Sequence, residues 1–396
     1  MHEFKPDDIV KSCDAIEAGC RLHPEGMGCC YKLPVMSPII VTSDEINSPE
    51  FSHEMIVNKR RQLFEALNGL NDMDTASCKT CACLQEKKYK DVNFDYLGGC
   101  KIESSFNIAP SYSCNLRCSY CYLKETAGGH YHPATYNIID VYEKFREKGK
   151  IKPAPWIQYN GGEPTLDKDF EKNLEYMVNY MGTVCIFSNS TNYSPLVEKY
   201  LAENKIFYET SVDAGTASTY KKIHAADAYT RVLSNIIRYV KTGTKNVFVK
   251  YIVLPENMTD DDLWGFVMAM AAIKPPHVYI ASEYVCGDDF KIHPDSYKFA
   301  AKMWYMLEKY ANITPYLPTD DESSDEQYVK YSQDVKAEYA RLIKENPITD
   351  EFNLNKQCCC KTKKKLSLRK RLFSISKENN HKVVRVAGIK VARKTK

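Results

Sequence analysis

The sequence predicts an α/β protein, a partial (β/α)6 TIM-type barrel with a small cysteine-rich lobe before it and a basic tail after it. Three observations predict this. From residue 105 to 281, short β-rich runs alternate with amphipathic stretches, the pattern of βα units around a parallel sheet. Eight of the sixteen cysteines fall before that alternation starts. Residues 361–396 hold fourteen Lys or Arg against Glu378 alone, a charge of +13 that leaves −10 for the rest of a chain whose net charge is +3.

The elements follow in order. Residues 1–103 form the cysteine-rich lobe, with an amphipathic helix expected over 51–67. The barrel occupies 104–290, and its six strands are expected over 105–110, 156–159, 183–188, 206–212, 246–253 and 277–281. Between them, apolar residues spaced three and four apart predict helices over 136–148, 168–181, 195–203 and 230–241. Residues 291–350 read as two helices, 295–310 and 324–345, separated by a turn rich in Pro, Asp and Thr. The basic tail covers 351–396, and its apolar-basic alternation around Gly388 suits a short β-hairpin.

A chain of 396 residues with 44% hydrophobic content can bury a sizeable core. It has no run of about eighteen apolar residues, and Met1-His-Glu-Phe-Lys-Pro-Asp-Asp lacks the regions of a signal peptide, so a cytoplasmic location is expected. In a reducing compartment, clustered cysteines read as metal ligands and not as disulfides. Isolated Cys185 and Cys286 read as small buried hydrophobes, Cys286 and Asp288 also being placed where they could face a substrate. The run Cys358-Cys-Cys360 has no assigned role.

The chemistry concentrates in Ser113-Cys-Asn-Leu-Arg-Cys-Ser-Tyr-Cys-Tyr122. Thiolates are the ligands that iron–sulfur clusters take, and three at this spacing leave a four-iron cluster one ligand short. A structural zinc site is the alternative. Downstream stands Trp156-Ile-Gln-Tyr-Asn-Gly-Gly-Glu-Pro164, in which Gly161 and Gly162 permit close backbone approach to a ligand and Glu163 offers a charge-assisted hydrogen bond. Cys-x3-Cys-x2-Cys with an aromatic before the last Cys, followed by Gly-Gly-Glu-Pro, resembles the signature of the radical S-adenosylmethionine (radical SAM) superfamily.

That resemblance implies a catalytic [4Fe–4S] cluster on Cys114, Cys118 and Cys121. It implies S-adenosylmethionine bound at the open iron and cleaved to a 5′-deoxyadenosyl radical that abstracts a substrate hydrogen. Tyr120 is then expected at the adenine, Gly161, Gly162 and Glu163 at the methionine end, and Asn189, Ser211 and Asp213 near the ribose. For the last three, the competing reading is a helix cap or turn. Flavodoxin or ferredoxin is the expected electron donor.

Eight cysteines precede the triad, at positions 13, 20, 29, 30, 78, 81, 83 and 100. Their arrangement is similar to an auxiliary-cluster segment of the SPASM or twitch type, which normally follows the barrel. An auxiliary iron–sulfur cluster on Cys13, Cys29, Cys78 and Cys81 is expected, with Cys20, Cys30, Cys83 and Cys100 in reserve and a zinc knob as the alternative. The tail, with Phe373-Ser-Ile375 and Gly388-Ile-Lys390, resembles C-terminal extensions on bacterial enzymes of surface-polysaccharide assembly. Together these imply a radical enzyme acting on a sugar or nucleotide-sugar, with a peptide or protein substrate as the alternative. The tail implies an anionic membrane surface as partner, at the inner face of the cytoplasmic membrane, and nucleic acid is not expected. The rival from another class is a non-catalytic metal-binding membrane scaffold.

Overall fold

The computed structural model describes residues 4–30, 38–79, 81, 83–98, 106–121, 123, 133–152, 156–282, 293–317, 326–348, 373–378, 381–386 and 389–394. Cys100, Tyr122, Cys286, Asp288 and Cys358 to Cys360 lie outside the described residues. The chain divides into two compact units, 1–115 with 122–187, and 116–121 with 188–396.

The first unit begins with β1 (Ile9–Ser12), α1 (Asp14–Ala18), β2 (Cys20–His23), β3 (Gly26–Gly28), β4 (Ile39–Thr42), α2 (Ser43–Ile46), α3 (His53–Leu67), α4 (Ala76–Lys79) and β5 (Gln85–Lys88). It continues with β6 (Phe106–Ile108), α5 (Ile138–Glu147), β7 (Ile157–Tyr159), α6 (Phe170–Tyr176) and β8 (Val184–Phe187). Strands β2, β6, β7 and β8 run parallel, with Cys20 opposite Phe106, Phe106 opposite Ile157 and Ile157 opposite Val184. All four residues of β2 are buried, as a strand covered on both faces requires. β3 and β4 extend the ladder antiparallel beyond β2. The N-terminal cysteine region therefore adds strands beside β6.

Helix α3 starts at Ser52, whose hydroxyl accepts the Met55 N–H. Its inward face carries Ile56, Leu63 and Phe64, and among them the fully buried Arg60. The Arg60 guanidinium donates to the carbonyls of Glu17 (2.8 Å), Gly19 (2.6 Å) and Tyr96 (2.8 Å), joining three chain segments through backbone acceptors. A charge this deep is tolerated only because its N–H groups meet carbonyl dipoles.

His23 closes β2 with its side chain 4% exposed, its ring stacked on Tyr112 and its Nδ1 3.6 Å from a Glu25 carboxylate oxygen. Burial, with Arg21 adding repulsion, holds the imidazole down to about 3. An unfolded imidazole titrates near 6.5, so the neutral ring contributes its full stability above that pH. As pH falls from about 6.5 toward 3, the folded state loses about 1.4 kcal/mol per unit through this group. His23→Gln is expected to remove that part of the slope, read as the difference between urea-unfolding free energies of the two proteins at pH 7 and pH 4.5.

The second unit contains α7 (Pro195–Ala202), β9 (Ile206–Ser211), α8 (Ala217–His224), α9 (Tyr229–Val240), β10 (Val247–Val253), α10 (Asp260–Ile273) and β11 (His277–Ser282). α11 (Ser296–Met306), α12 (Glu326–Glu345) and β12 to β14 follow. β9, β10 and β11 are parallel neighbours, with Tyr208 opposite Val247 and Phe248 opposite His277. Inward residues Tyr208, Val247, Val249 and Tyr251 are buried, and the residues between them are less so, giving the period of two that drives strand formation.

All six strands expected of the barrel are present, within two residues at each end, and the fold is α/β with largely parallel strands, as in a partial TIM-type barrel. The tail differs from the expected hairpin. β12 (Phe373–Glu378), β13 (His381–Val386) and β14 (Ile389–Lys394) form a three-stranded antiparallel sheet, because the Phe373 run adds a third alternating segment. Among the described residues, no helix is long and apolar enough to cross a membrane.

Candidate active site

In the first unit, the loop after β6 carries Ser111 to Cys114, and the loop after β7 carries Asn160 to Glu163. Parallel strands side by side deliver both loops at their carboxyl ends. Backbone hydrogen bonds lock the loops together, since the Gly162 N–H donates to the Ser111 carbonyl (2.9 Å) and the Glu163 N–H to the Ser113 carbonyl (2.7 Å). The approach is so close that a Cβ on Gly162 would stand 2.1 Å from the Ser113 carbonyl oxygen, and one on Gly161, whose φ is +114°, 2.5 Å from that of Ser111. Glycine is required here because the neighbours are backbone.

Gly162→Ala is expected to cost about 1–3 kcal/mol, as overpacking against atoms that cannot rotate away does. It is also expected to lower iron incorporation on the adjacent Cys114. Thermal unfolding and iron content of the reconstituted protein check the two halves of this expectation.

Glu163 is 1% exposed, and its Oε1 accepts from the Thr165 N–H (3.2 Å) and hydroxyl (2.6 Å), which makes the carboxylate the cap of the turn Pro164–Leu166. The structure thus gives this residue a rigid local setting in addition to the ligand role expected of it.

In the second unit, residues 116–121 lie against the end of α8. The Arg117 N–H donates to the His224 carbonyl (3.1 Å) and the Ser119 N–H to that of Ile223 (2.7 Å). Cys118 Sγ stands 3.0 Å from His224 Nδ1, and the other ring nitrogen, Nε2, is 3.2 Å from the Val212 carbonyl and 3.7 Å from an Asp213 carboxylate oxygen. With Nε2–H donated to Val212, Nδ1 faces the sulfur as an acceptor for its thiol proton. Cys114 and Cys121, like Cys118, are half-buried.

Asp213 is fully buried with φ +51°, a left-handed position that Asp tolerates better than most residues. One carboxylate oxygen accepts the Tyr120 hydroxyl (2.5 Å) and the other the Ile252 N–H (2.7 Å). Burial pushes its carboxyl above the usual range against the pull of His224, and burial likewise holds His224 below its ordinary value. Both shifts favour uncharged forms, as a dry setting demands. Burial, with the Asp213 charge next, raises the Tyr120 hydroxyl well above its usual value. Asp213 acts on Tyr120, fixing where its ring can lie.

Of the other residues expected near the ribose, Asn189 lies in the loop after β8 and Ser211 at the end of β9. Asn189 Oδ1 accepts from the Thr191 N–H (2.9 Å) and hydroxyl (2.6 Å), and Ser211 ends β9 opposite Lys250. Buried Ser190 joins the hydroxyls of Tyr208 and Thr210, each at 2.8 Å. The residue that sequence reasoning missed is His224. No motif marks it, and only the return of α8 brings it to Cys118.

Residues 108–268 match the family described as "Radical SAM superfamily". The chain is similar to GTP 3′,8-cyclase of Psychromonas ingrahamii, 26% identical over 38% of this chain and 44% of that protein. It is also similar to a probable GTP 3′,8-cyclase of Pyrococcus horikoshii, 25% identical over 41% of this chain and 51% of that one. The chain spans about half the length of the curated relatives it matches. Among solved structures, Streptococcus suis SuiB bound to S-adenosylmethionine covers 54% of this chain and 50% of its own at 15% identity, with a TM-score of 0.43.

Proposed function

We propose, for a chain whose residues 108–268 belong to the radical SAM superfamily, that it is an enzyme removing a hydrogen atom from a sugar or nucleotide-sugar of surface-polysaccharide biosynthesis. The observation that carries the reading is the pairing of two motifs, Cys114-x3-Cys118-x2-Cys121 and Gly161-Gly162-Glu163-Pro164, with Gly162 and Glu163 of the second donating to the Ser111 and Ser113 carbonyls just before Cys114.

The radical SAM family uses a [4Fe–4S] cluster and S-adenosylmethionine, and the donor set here fits them: three half-buried thiols lie within eight residues of sequence, and the loop after β7 holds a turn that only glycine can line. When bound, these groups supply one-electron cleavage of a sulfonium, which lets an unactivated C–H bond react. The chain's own residues prepare the site. His224 orients Cys118 and offers its thiol proton an acceptor. Asp213 fixes Tyr120 beside it, and the Gly161-Gly162 turn presents backbone to the ligand. A flavodoxin or ferredoxin is the proposed electron donor. The matched relatives are named for GTP, a ribose-bearing nucleotide, and this favours a nucleotide-sugar over a peptide.

Anaerobic reconstitution with iron and sulfide tests the reading. The enzyme is expected to release 5′-deoxyadenosine from S-adenosylmethionine and reductant, faster when nucleotide-sugars are supplied than when peptides are. A protein that binds zinc and releases none would be the metal-binding scaffold.

The tail supports peripheral attachment to an anionic membrane. Its +13 charge lies on and before three short strands, and each Lys or Arg near an anionic leaflet contributes about 1 kcal/mol. Deleting residues 361–396 is expected to lower binding to phosphatidylglycerol vesicles at least tenfold at low salt, measured by co-sedimentation. Equal binding by both proteins would remove the membrane from the proposal.

A further inference from the structure

One face of the second unit's parallel strands is half-buried and carries charge. Tyr208 packs on Tyr239 of α9, with ring centroids 4.8 Å apart, and Tyr251 on Phe266 of α10, at 4.7 Å, so these side chains of β9 and β10 face the helices. Alternation then sends Phe207, Glu209 and Ser211, with Phe248, Lys250 and Ile252, to the opposite face, where all of them are half-buried. The register adds His277 and Tyr279 of β11, opposite Phe248 and Lys250, and these are half-buried too.

That face is layered along the strands. Near their amino ends runs a row of rings, Phe207, Phe248, His277 and Tyr316, with successive centroids 6.3, 4.4 and 5.4 Å apart. Next comes an ion pair, in which Lys250 Nζ donates to Glu209 Oε1 at 2.7 Å, the two side chains being 21% and 22% exposed. Ser211 and Tyr279 stand opposite Lys250 on its two sides, so hydroxyl-bearing residues flank the ammonium. Two residues further, about 7 Å along β10, the Ile252 N–H donates to Asp213, which holds Tyr120.

Given the sugar or nucleotide-sugar substrate proposed for this enzyme, we infer that Glu209 and Lys250 bind it, holding the ring hydroxyls of an uncharged sugar. A carboxylate accepts from hydroxyls and an ammonium donates to hydroxyl or ring oxygens, so the pair matches a polyol edge, where every hydroxyl both donates and accepts. Because the pair cancels its own charge, it is a poor seat for a phosphate or a free carboxylate, and such groups of the substrate bind elsewhere. The row of rings beneath offers the apolar C–H face of the same sugar a surface to lie on. An ion pair kept only to join β9 to β10 would add little, since pairs this exposed contribute weakly and the backbone ladder already joins the strands. Held by the pair, the sugar lies between the rings and the strand ends that carry Asp213. Glu209 and Lys250 bind and orient it.

The test uses the full chain, reconstituted anaerobically, with UDP-glucose, UDP-N-acetylglucosamine and GDP-mannose as probes and UDP, GDP and a cysteine-containing peptide for comparison. Saturation-transfer NMR reads which ligand protons touch the protein. At least one nucleotide-sugar is expected to take up saturation on its sugar-ring protons and to bind at least tenfold more tightly than its sugar-free nucleotide. Glu209→Gln and Lys250→Met are each expected to weaken that binding at least tenfold. Lys302→Met, which breaks the ion pair of Lys302 with Asp260 between α11 and α10, is expected to leave it unchanged. Exchanging the pair, Glu209→Lys with Lys250→Glu, keeps an ion pair between the strands, so this protein should melt close to the parent. Its sugar binding should nevertheless stay as weak as in the single variants, because donor and acceptor have traded places. Parent-like sugar binding in the exchanged protein or in either single variant would overturn the inference and leave the sugar substrate standing. A parent that takes up no ring-proton saturation from any probe, and releases 5′-deoxyadenosine faster only with peptide, would overturn the sugar substrate as well.

Discussion

Cys118→Ala is expected to abolish S-adenosylmethionine cleavage, lowering 5′-deoxyadenosine release by more than about a hundredfold. Residues that merely orient a metal's ligands already cost about 10–100-fold when removed, and a ligand itself costs more. The substitution also strips His224 of the sulfur 3.0 Å from its Nδ1, stranding a buried ring nitrogen at a cost of about 1–3 kcal/mol. Cys118→Ser separates the two effects, because a hydroxyl still meets Nδ1 while serving iron poorly. The serine protein should therefore melt close to the parent and still fail to cleave, with Cys185→Ala as the active control. Cleavage retained in both Cys118 variants would remove the site assignment.

Asp262→Ala is expected to destabilise the protein by about 3–4 kcal/mol without touching any proposed ligand. Asp262 is 1% exposed, in the first turn of α10. One of its carboxylate oxygens accepts the N–H groups of Gly215 (2.9 Å) and Thr216 (3.0 Å), and the other the hydroxyls of Thr219 (2.7 Å) and Thr259 (2.8 Å). Its loss leaves the buried Gly215 N–H unsatisfied, at about 1–3 kcal/mol, and weakens the Thr216 and Thr259 caps of α8 and α10 by about 1 kcal/mol more. The two backbones approach closely here, since a Cβ on Gly215 would stand 1.9 Å from the Asp262 carbonyl oxygen. Urea unfolding checks the magnitude, with Thr219→Val, which removes a hydroxyl bonded to Asp262 and Thr216, expected at about 1–2 kcal/mol. An Asp262→Ala protein within 1 kcal/mol of the parent would show that the loop after β9 is held by something else.

The barrel strands were legible because each is a short β-rich run that packs into a core, and a period of two or an unbroken apolar stretch is visible in one dimension. The helices over 51–67, 136–148, 168–181, 195–203 and 230–241 were legible for the same reason. The triad and the Gly-Gly-Glu-Pro run were legible as local spacing. β2 was not. Its four buried residues, Cys20-Arg-Leu-His23, carry no alternation and include two basic side chains, and only the neighbouring strand β6 makes them a strand. His224 was equally hidden, 106 residues beyond the sulfur it faces.

The N-terminal cysteines show the same division. Sequence spacing marks which thiols are close along the chain, and it picked out Cys78-x2-Cys81. The β1–β5 register decides which segments meet in space, and it sets Ser12, next to Cys13, opposite Gln85.

The sequence by itself determined the α/β class, the three-thiolate motif and the charge of the tail, because each is carried by residues within a few positions of one another. Tertiary structure alone decided that Asp213 holds Tyr120, that His224 faces Cys118, and that the N-terminal strands join β6. These depend on burial and on pairings between distant segments, whose free energy exists only once the chain has closed on itself.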